Sequence, residues 1–231
     1  MPSASGFDVF RAVAGSEGLA RTAVTARLRR EALEYAQTEN LVQCAWSYRV
    51  VPLEGPAGDI LCLDGEHLPA PWLIPQSGEL TAVACCVCTI GPLLEERVTA
   101  LFGERRASLA VALDSIGNEL LFAVSRRAQD KIQADVTKQG LCMAGELRSG
   151  DPGLALDTQA TVLRLAQAHT IGVRASASGM MSPLKSSSMV LGVGVELPPA
   201  QWSRCDSCPS VDRCAIAGKR ADVASKTGST T

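Results

Sequence analysis

A chain of 231 residues, 46% hydrophobic and 20% charged with a formal net charge of -2, has the make-up of one ordinary globular domain long enough to bury a sizeable core. The balance of 22 basic against 24 acidic residues excludes an electrostatic nucleic-acid binder, so the pairs Arg29-Arg30, Arg105-Arg106 and Arg126-Arg127 read as solvated helix faces. No charged stretch followed by an apolar run opens the sequence, and no window reaches the ~20 uninterrupted apolar residues of a bilayer span. A cytoplasmic protein without a membrane partner is expected. In that reducing setting the nine cysteines read as core residues and metal ligands rather than as a disulfide framework.

From Glu17 to Ala36 apolar residues such as Leu19, Ala26, Leu28 and Leu33 interleave with Arg21, Arg27, Glu31 and Glu34, which predicts an amphipathic helix. Ala45–Leu53 carries aromatic and β-branched residues and stops near Pro52, as a strand would. Ile60–Leu63 is a second, short strand between Gly58 and Gly65. The prolines at 69, 71 and 75 make 68–78 a loop or sheet edge. Leu80–Ile90 is nearly all apolar and ends at Gly91, the pattern of a buried central strand. Alternation places Cys86 and Cys88 on one face of it and Cys85 on the other, with Cys88, at the strand end, best placed to reach a site.

Two helices are predicted next, Pro92–Leu101 and Ala107–Lys138. The second contains Asp114-Ser-Ile-Gly-Asn-Glu119, and Gly117 within it costs about 1 kcal/mol against alanine, a sign of a close packing contact. Gly140–Gly153 breaks all periodicity and reads as a glycine-rich loop able to approach a ligand closely. A helix from Leu156 to Ala168 follows, closed by His169, which suits a favourable charge at a helix C-terminus better than a catalyst. Met189–Val195 predicts a buried strand, preceded by a hydroxyl-rich turn over Pro183–Ser188. Such a turn can satisfy its own backbone, or line a cleft with Lys185 and Ser186 donating to a carboxylate or phosphate.

The segment Cys205-Asp-Ser-Cys208-Pro-Ser-Val-Asp-Arg-Cys214 has C-x2-C-x5-C spacing, which lets thiolates converge on one soft ion or cluster. Three sulfurs complete neither a tetrahedral zinc site nor a four-thiolate cluster, so a fourth ligand comes from Cys88, Cys86, Cys142 or an open position. The organisation expected is a helical segment at 1–44, an α+β core at 45–197, a cysteine segment at 198–220 and a disordered tail at 221–231.

Several spacings then fall together. Thr89-Ile90-Gly91, Asp114 to Glu119, Gln159 leading into Ile171-Gly172, and Met181-x-Pro183-x-Lys185-Ser186-x-Ser188 with Gly192 precede the cysteine triplet. In that order the chain resembles the activation domain of vitamin B12-dependent methionine synthase, and more closely its stand-alone relatives that end in a cysteine cluster. The resemblance implies an α+β fold with a mainly antiparallel twisted sheet and packed helices. It also implies work on a corrinoid held by a partner, either a corrinoid-binding protein or a cobalamin-dependent methyltransferase. In that family inactive cobalt is reduced by one electron and trapped by a methyl group from S-adenosylmethionine.

The family's S-adenosylmethionine loop, Arg-x-x-Pro-Gly-Tyr, aligns with Glu146-Leu-Arg148-Ser-Gly150-Asp151, where only Gly150 survives. Glu146 stands where the arginine would meet the methionine carboxylate and would repel it, and Arg148 is the nearest replacement, from a shifted register. The expected ligand-facing set is therefore Glu146, Arg148, Gly150, Asp151, Met181, Pro183, Lys185, Ser186 and Ser188, with Cys205, Cys208, Cys214 and Cys88 as metal ligands. The triplet is expected to hold an iron–sulfur cluster that passes an electron to cobalt. The alternatives are a structural zinc in a non-catalytic docking module, and an altered loop that binds another ligand such as a pterin.

Overall fold

The computed structural model of the chain describes residues 6–14 and 22–198. Its centre is a four-stranded, wholly antiparallel sheet. In it β1 (Ala45–Pro52) and β4 (Glu79–Thr89) lie beside β8 (Ser186–Val195), and β5 (Cys142–Leu147) forms the far edge, in the order β1-β4-β8-β5. The hairpin β2 (Ile60–Leu63)–β3 (Glu66–Pro69) and the short pair β6 (Arg174–Ala175)–β7 (Met181–Ser182) complete the strands. The expected α+β class with an antiparallel sheet and packed helices is what the chain adopts.

The apolar run of β4 becomes the strand inside the sheet because every residue from Ala82 to Thr89 is buried there, on both faces. One face, with Ala84, Cys86, Cys88, Met189 and Leu191, packs on α4 (Ala107–Thr137) through Leu113, Ile116, Leu120, Val124 and Ile132. The other carries α5 (Gln159–Leu165), which buries Val162 and Leu165 and lies against the β2–β3 hairpin. Each fully buried leucine or isoleucine contributes about 1.5–3 kcal/mol of transfer free energy, so the long apolar stripe of α4 dominates the hydrophobic term.

By length and composition α4 could also cross a membrane. Here its apolar stripe is instead the core, beneath α1 (Val9–Ala14), α2 (Ala23–Thr38) and α3 (Leu93–Gly103). The described parts of the 1–44 segment pack on the α+β core, because Val9, Val13, Ala32, Leu33 and Ala36 belong to the same cluster as α4.

The helix expected over Glu17–Ala36 is seen from Ala23, because Thr22 caps it: its hydroxyl accepts from the Thr25 N–H, and the Thr25 side chain accepts from the Thr22 N–H. Residues 15–21 lie outside the described ones, as do the cysteine segment and the tail beyond Pro198. Residues 68–78 begin as the end of β3 and continue in a 3-10 turn, Pro71–Leu73, set by Pro71.

Three expectations are corrected. The loop expected over Gly140–Gly153 is in its first half the edge strand β5. Cys142-Met-Ala-Gly-Glu-Leu has no alternation to signal a strand, but β8 offers it free backbone groups, and a bulge around Gly145 absorbs the misfit. The strand expected from Met189 starts at Ser186, because three buried serines pair with Thr89, Cys88 and Val87 of β4. The helix expected over Leu156–Ala168 breaks at Gln167, whose φ of 54° is left-handed, and His169 sits in the following 3-10 turn, Ala168–Ile171.

Candidate functional site

The predicted ligand-facing residues from Glu146 to Ser188 gather at the end of the sheet where β8 begins, β5 ends and β4 stops at Thr89, while Cys205, Cys208 and Cys214 lie outside the described residues. They divide between the two faces. On the α4 face, β5 carries Glu146 and hands Arg148 to a place over the Phe122 ring of α4, 5.8 Å from its centroid. Its Nε and Nη2 donate to Glu146 Oε1 at 3.0 and 2.8 Å, and Nη1 donates to Ser187 Oγ at 2.8 Å. The Arg148 side chain is only 17% exposed. Its backbone N–H donates to Asp151 Oδ2 at 2.9 Å, which closes a turn in which Gly150 takes a φ of 97° and donates to the Leu154 carbonyl. Four predicted residues thus form one unit, and the guanidinium inside it is neutralised by the chain itself.

On the α5 face, buried Gln159 joins two others: its Oε1 accepts from Ser188 Oγ at 3.3 Å and its Nε2 lies 3.7 Å from Met181 Sδ. Met180, just before β7, and Leu184, in the loop between β7 and β8, are exposed, and the Ser182–Pro183 peptide that enters that loop is cis. Gly179, in the preceding loop between β6 and β7, sits over Leu156, itself half exposed.

Lys185 is the residue whose surroundings differ most from its expected role. Its ammonium donates to Asn118 Oδ1 at 2.8 Å and pairs with Asp114 Oδ1 at 2.7 Å, and its side chain is 12% exposed. The stem passes over Gly117, where a Cβ would stand 3.2 Å from Lys185 Cε and 2.9 Å from Leu94 Cδ2. The close contact read from Gly117 is therefore the crossing of Lys185 and α3 over α4. Glu95 of α3 adds a second tie, accepting from the Leu184 and Lys185 N–H groups at 2.7 and 3.3 Å. Ser186 donates to Thr89 Oγ1 at 2.9 Å, and that hydroxyl also accepts from the Gly91 N–H. Glu119, the last residue of the Asp114–Glu119 motif, binds Arg29, whose Nη2 also donates to the Val13 carbonyl, so the motif ties three helices and one loop together.

Cys88, expected at the mouth of a site, is fully buried with Cys86 on the α4 face, their sulfurs 3.8 Å apart. Cys86 is pushed above the ordinary thiol range by its hydrogen bond to Cys88 and by burial, and burial pushes Cys85 up to about 12. Cys44 is raised to about 11 by burial first and then by Cys88. Among the described residues no three potential ligands converge on one metal position. Cys142 is exposed on β5. Brief alkylation of the native protein followed by peptide mass mapping is expected to label Cys142 and spare Cys85, Cys86 and Cys88 until denaturant is added, and early labelling of Cys88 would contradict this burial.

Sequence reasoning did not find Ser187 or Phe122, which fix Arg148, nor the partners of Lys185. Only the spacing of Asp114 and Asn118 around Gly117, one helical turn, carried a signal for the last. Among the described residues, a cavity of about 530 Å³ between α1 and α2 and another of about 460 Å³ between residues 53–57 and 74–81 lie away from this end of the sheet and are lined by no predicted site residue.

The class this architecture defines is an α+β domain whose antiparallel sheet presents a strand end, between two helical layers, as its candidate site. Among solved structures it is similar to the MetH reactivation domain bound to AdoHcy, with a TM-score of 0.59 and 14% sequence identity over 77% of this chain and 66% of that one. At that identity the likeness is one of fold, and the chain spans just under two thirds of the other's length. No protein-family profile and no curated protein matches the sequence.

Proposed function

We propose that the protein is an accessory component of a corrinoid-dependent methyltransferase system, docking on the corrinoid-bearing partner with the strand end that carries the 146–151 segment and the Met181–Ser188 loop. The observation that carries this reading is the shared fold with the MetH reactivation domain, together with the convergence of the motif residues at one end of the sheet. In its fuller form the protein is a reductive activator. Cys205, Cys208 and Cys214 hold an iron–sulfur cluster, and the cluster passes one electron to cobalt on the partner. Asp206 and Asp212 beside the sulfurs add negative charge, which lowers a cluster's potential and suits a low-potential donor.

A second reading is a non-catalytic docking module with a structural zinc. It is favoured by one observation: the two cations of the site, Arg148 and Lys185, are both committed to carboxylates of their own chain, which leaves neither free for a small anionic substrate.

Purification without oxygen separates the two. A brown protein with iron and acid-labile sulfide, bleached by substituting Cys208 with serine, is expected for the activator. A colourless protein carrying stoichiometric zinc would reject electron relay and leave the docking module. Docking itself is read by titrating the protein with a cobalamin-loaded methyltransferase module, and absence of any complex would sink both.

A further inference from the structure

We propose that Glu146 permanently occupies the anion place on Arg148 and thereby makes this strand end select against ligands that carry a carboxylate. The inference rests on the reading above that the 146–151 segment faces a ligand. Arg148 has the properties of an anion receptor in every respect but one. Its guanidinium is largely buried, stacked on Phe122, and oriented by Ser187, a residue held in register opposite Cys88 on the inner strand pair β4–β8. What is unusual is that two of its donors, Nε and Nη2, converge on a single oxygen of a carboxylate two residues earlier on the same edge strand.

The pair is durable. Glu146 lies in the bulge between Ala144 and Leu147, and both of these pair with β8, so the strand is anchored on either side of it. Asp151 accepts from the Arg148 N–H and so places a second carboxylate beside the pair. An incoming carboxylate must either displace Glu146 or enter beside a cation that Glu146 already pairs, and both are unfavourable in a partly desolvated site. Removing the Glu146 charge leaves Arg148 in place, because Phe122 and Ser187 hold it independently. Glu146 is therefore the specificity-determining residue and Arg148 a receptor held closed.

The test compares two nucleosides by calorimetry: AdoHcy, and 5′-methylthioadenosine, which keeps the adenosine and sulfur and lacks the amino-acid carboxylate. The proteins are the native chain, Glu146→Gln and the double variant Glu146→Gln/Arg148→Met. Glu146→Gln is expected to bind AdoHcy at least tenfold more tightly than the native chain, with methylthioadenosine changed less than threefold and the gain absent from the double variant. A native chain that binds AdoHcy as tightly as Glu146→Gln, or a folded Glu146→Gln that binds none, overturns the proposal. The outcome is separable from that of the functional reading. Docking of the native chain on the corrinoid partner without a gain in Glu146→Gln removes only this inference, and a gain without docking removes only the functional reading.

Discussion

Replacing Gly194 by alanine is expected to destabilise the domain by about 3 kcal/mol, the upper end for inserting a methyl group into a packed position. Gly194 lies near the end of β8, opposite Leu80 of β4 and Cys142 of β5, where the β4 register shifts between Leu80 and Ala82. A Cβ there would overlap the Glu79 carbonyl oxygen and stand 2.9 Å from the Glu79 carbonyl carbon and 3.0 Å from Leu80 Cα. All three are backbone atoms of the strand inside the sheet, so no rotamer change relieves the contact and the ladder itself has to open. Urea unfolding reads the effect as a lower midpoint at unchanged slope. Gly58→Ala is the control, since nothing lies within 4 Å of its Cβ position, and it should leave the midpoint nearly unmoved. A Gly194→Ala midpoint equal to that of the control would show that the β4 bulge is soft.

The second large effect is expected at Gly117. Alanine there meets only the ends of two flexible side chains, Leu94 and Lys185, and gains about 1 kcal/mol of helix propensity, so the two effects nearly cancel. Leucine does not cancel. Its side chain needs the volume occupied by the Lys185 stem, and the expected cost is about 2–3 kcal/mol from overpacking. The Lys185 ammonium then loses Asp114 and Asn118 together, while Glu95 still holds the Leu184 N–H. Amide exchange should report this as faster opening of residues 182–186, with α4 and β4 protected as in the native chain. If docking on a corrinoid partner uses that loop, Gly117→Leu weakens it at least tenfold, whereas Gly117→Ala retains it. Equal protection of 182–186 in both variants would mean that Lys185 does not position the loop.

These two glycines also show how the fold was and was not legible. Gly117 interrupts a long helical pattern, so its anomaly was visible in the sequence even though its partner, 68 positions away at Lys185, was not. Gly194 sits in a run of glycine and valine that reads as a strand whichever neighbour it meets. The strands β1 and β4 and the helices α3 and α4 were legible because burial on one stripe or on both faces leaves a periodic or continuous apolar pattern. β5 was not, because an edge strand with a bulge and a glycine obtains its hydrogen bonds from a neighbour without needing a pattern of its own. Ser186, Ser187 and Ser188 looked like a turn for a similar reason: hydroxyls are turn formers locally, and only their partners Thr89, Arg148 and Gln159 make them strand residues with satisfied side chains.

Periodicity and composition by themselves therefore determined the central apolar strand and the long core helix, while the class of fold and the set of candidate residues at one end of the sheet came from the resemblance carried by the short motifs. Only the tertiary structure decided what those residues are free to do. The charges of Lys185 and Arg148 are the same in any listing of the chain. Whether they face a ligand or a carboxylate of their own fold depends on which strand lies beside β8 and which helix turn lies under the loop, and pairings between residues distant in the chain leave no local trace.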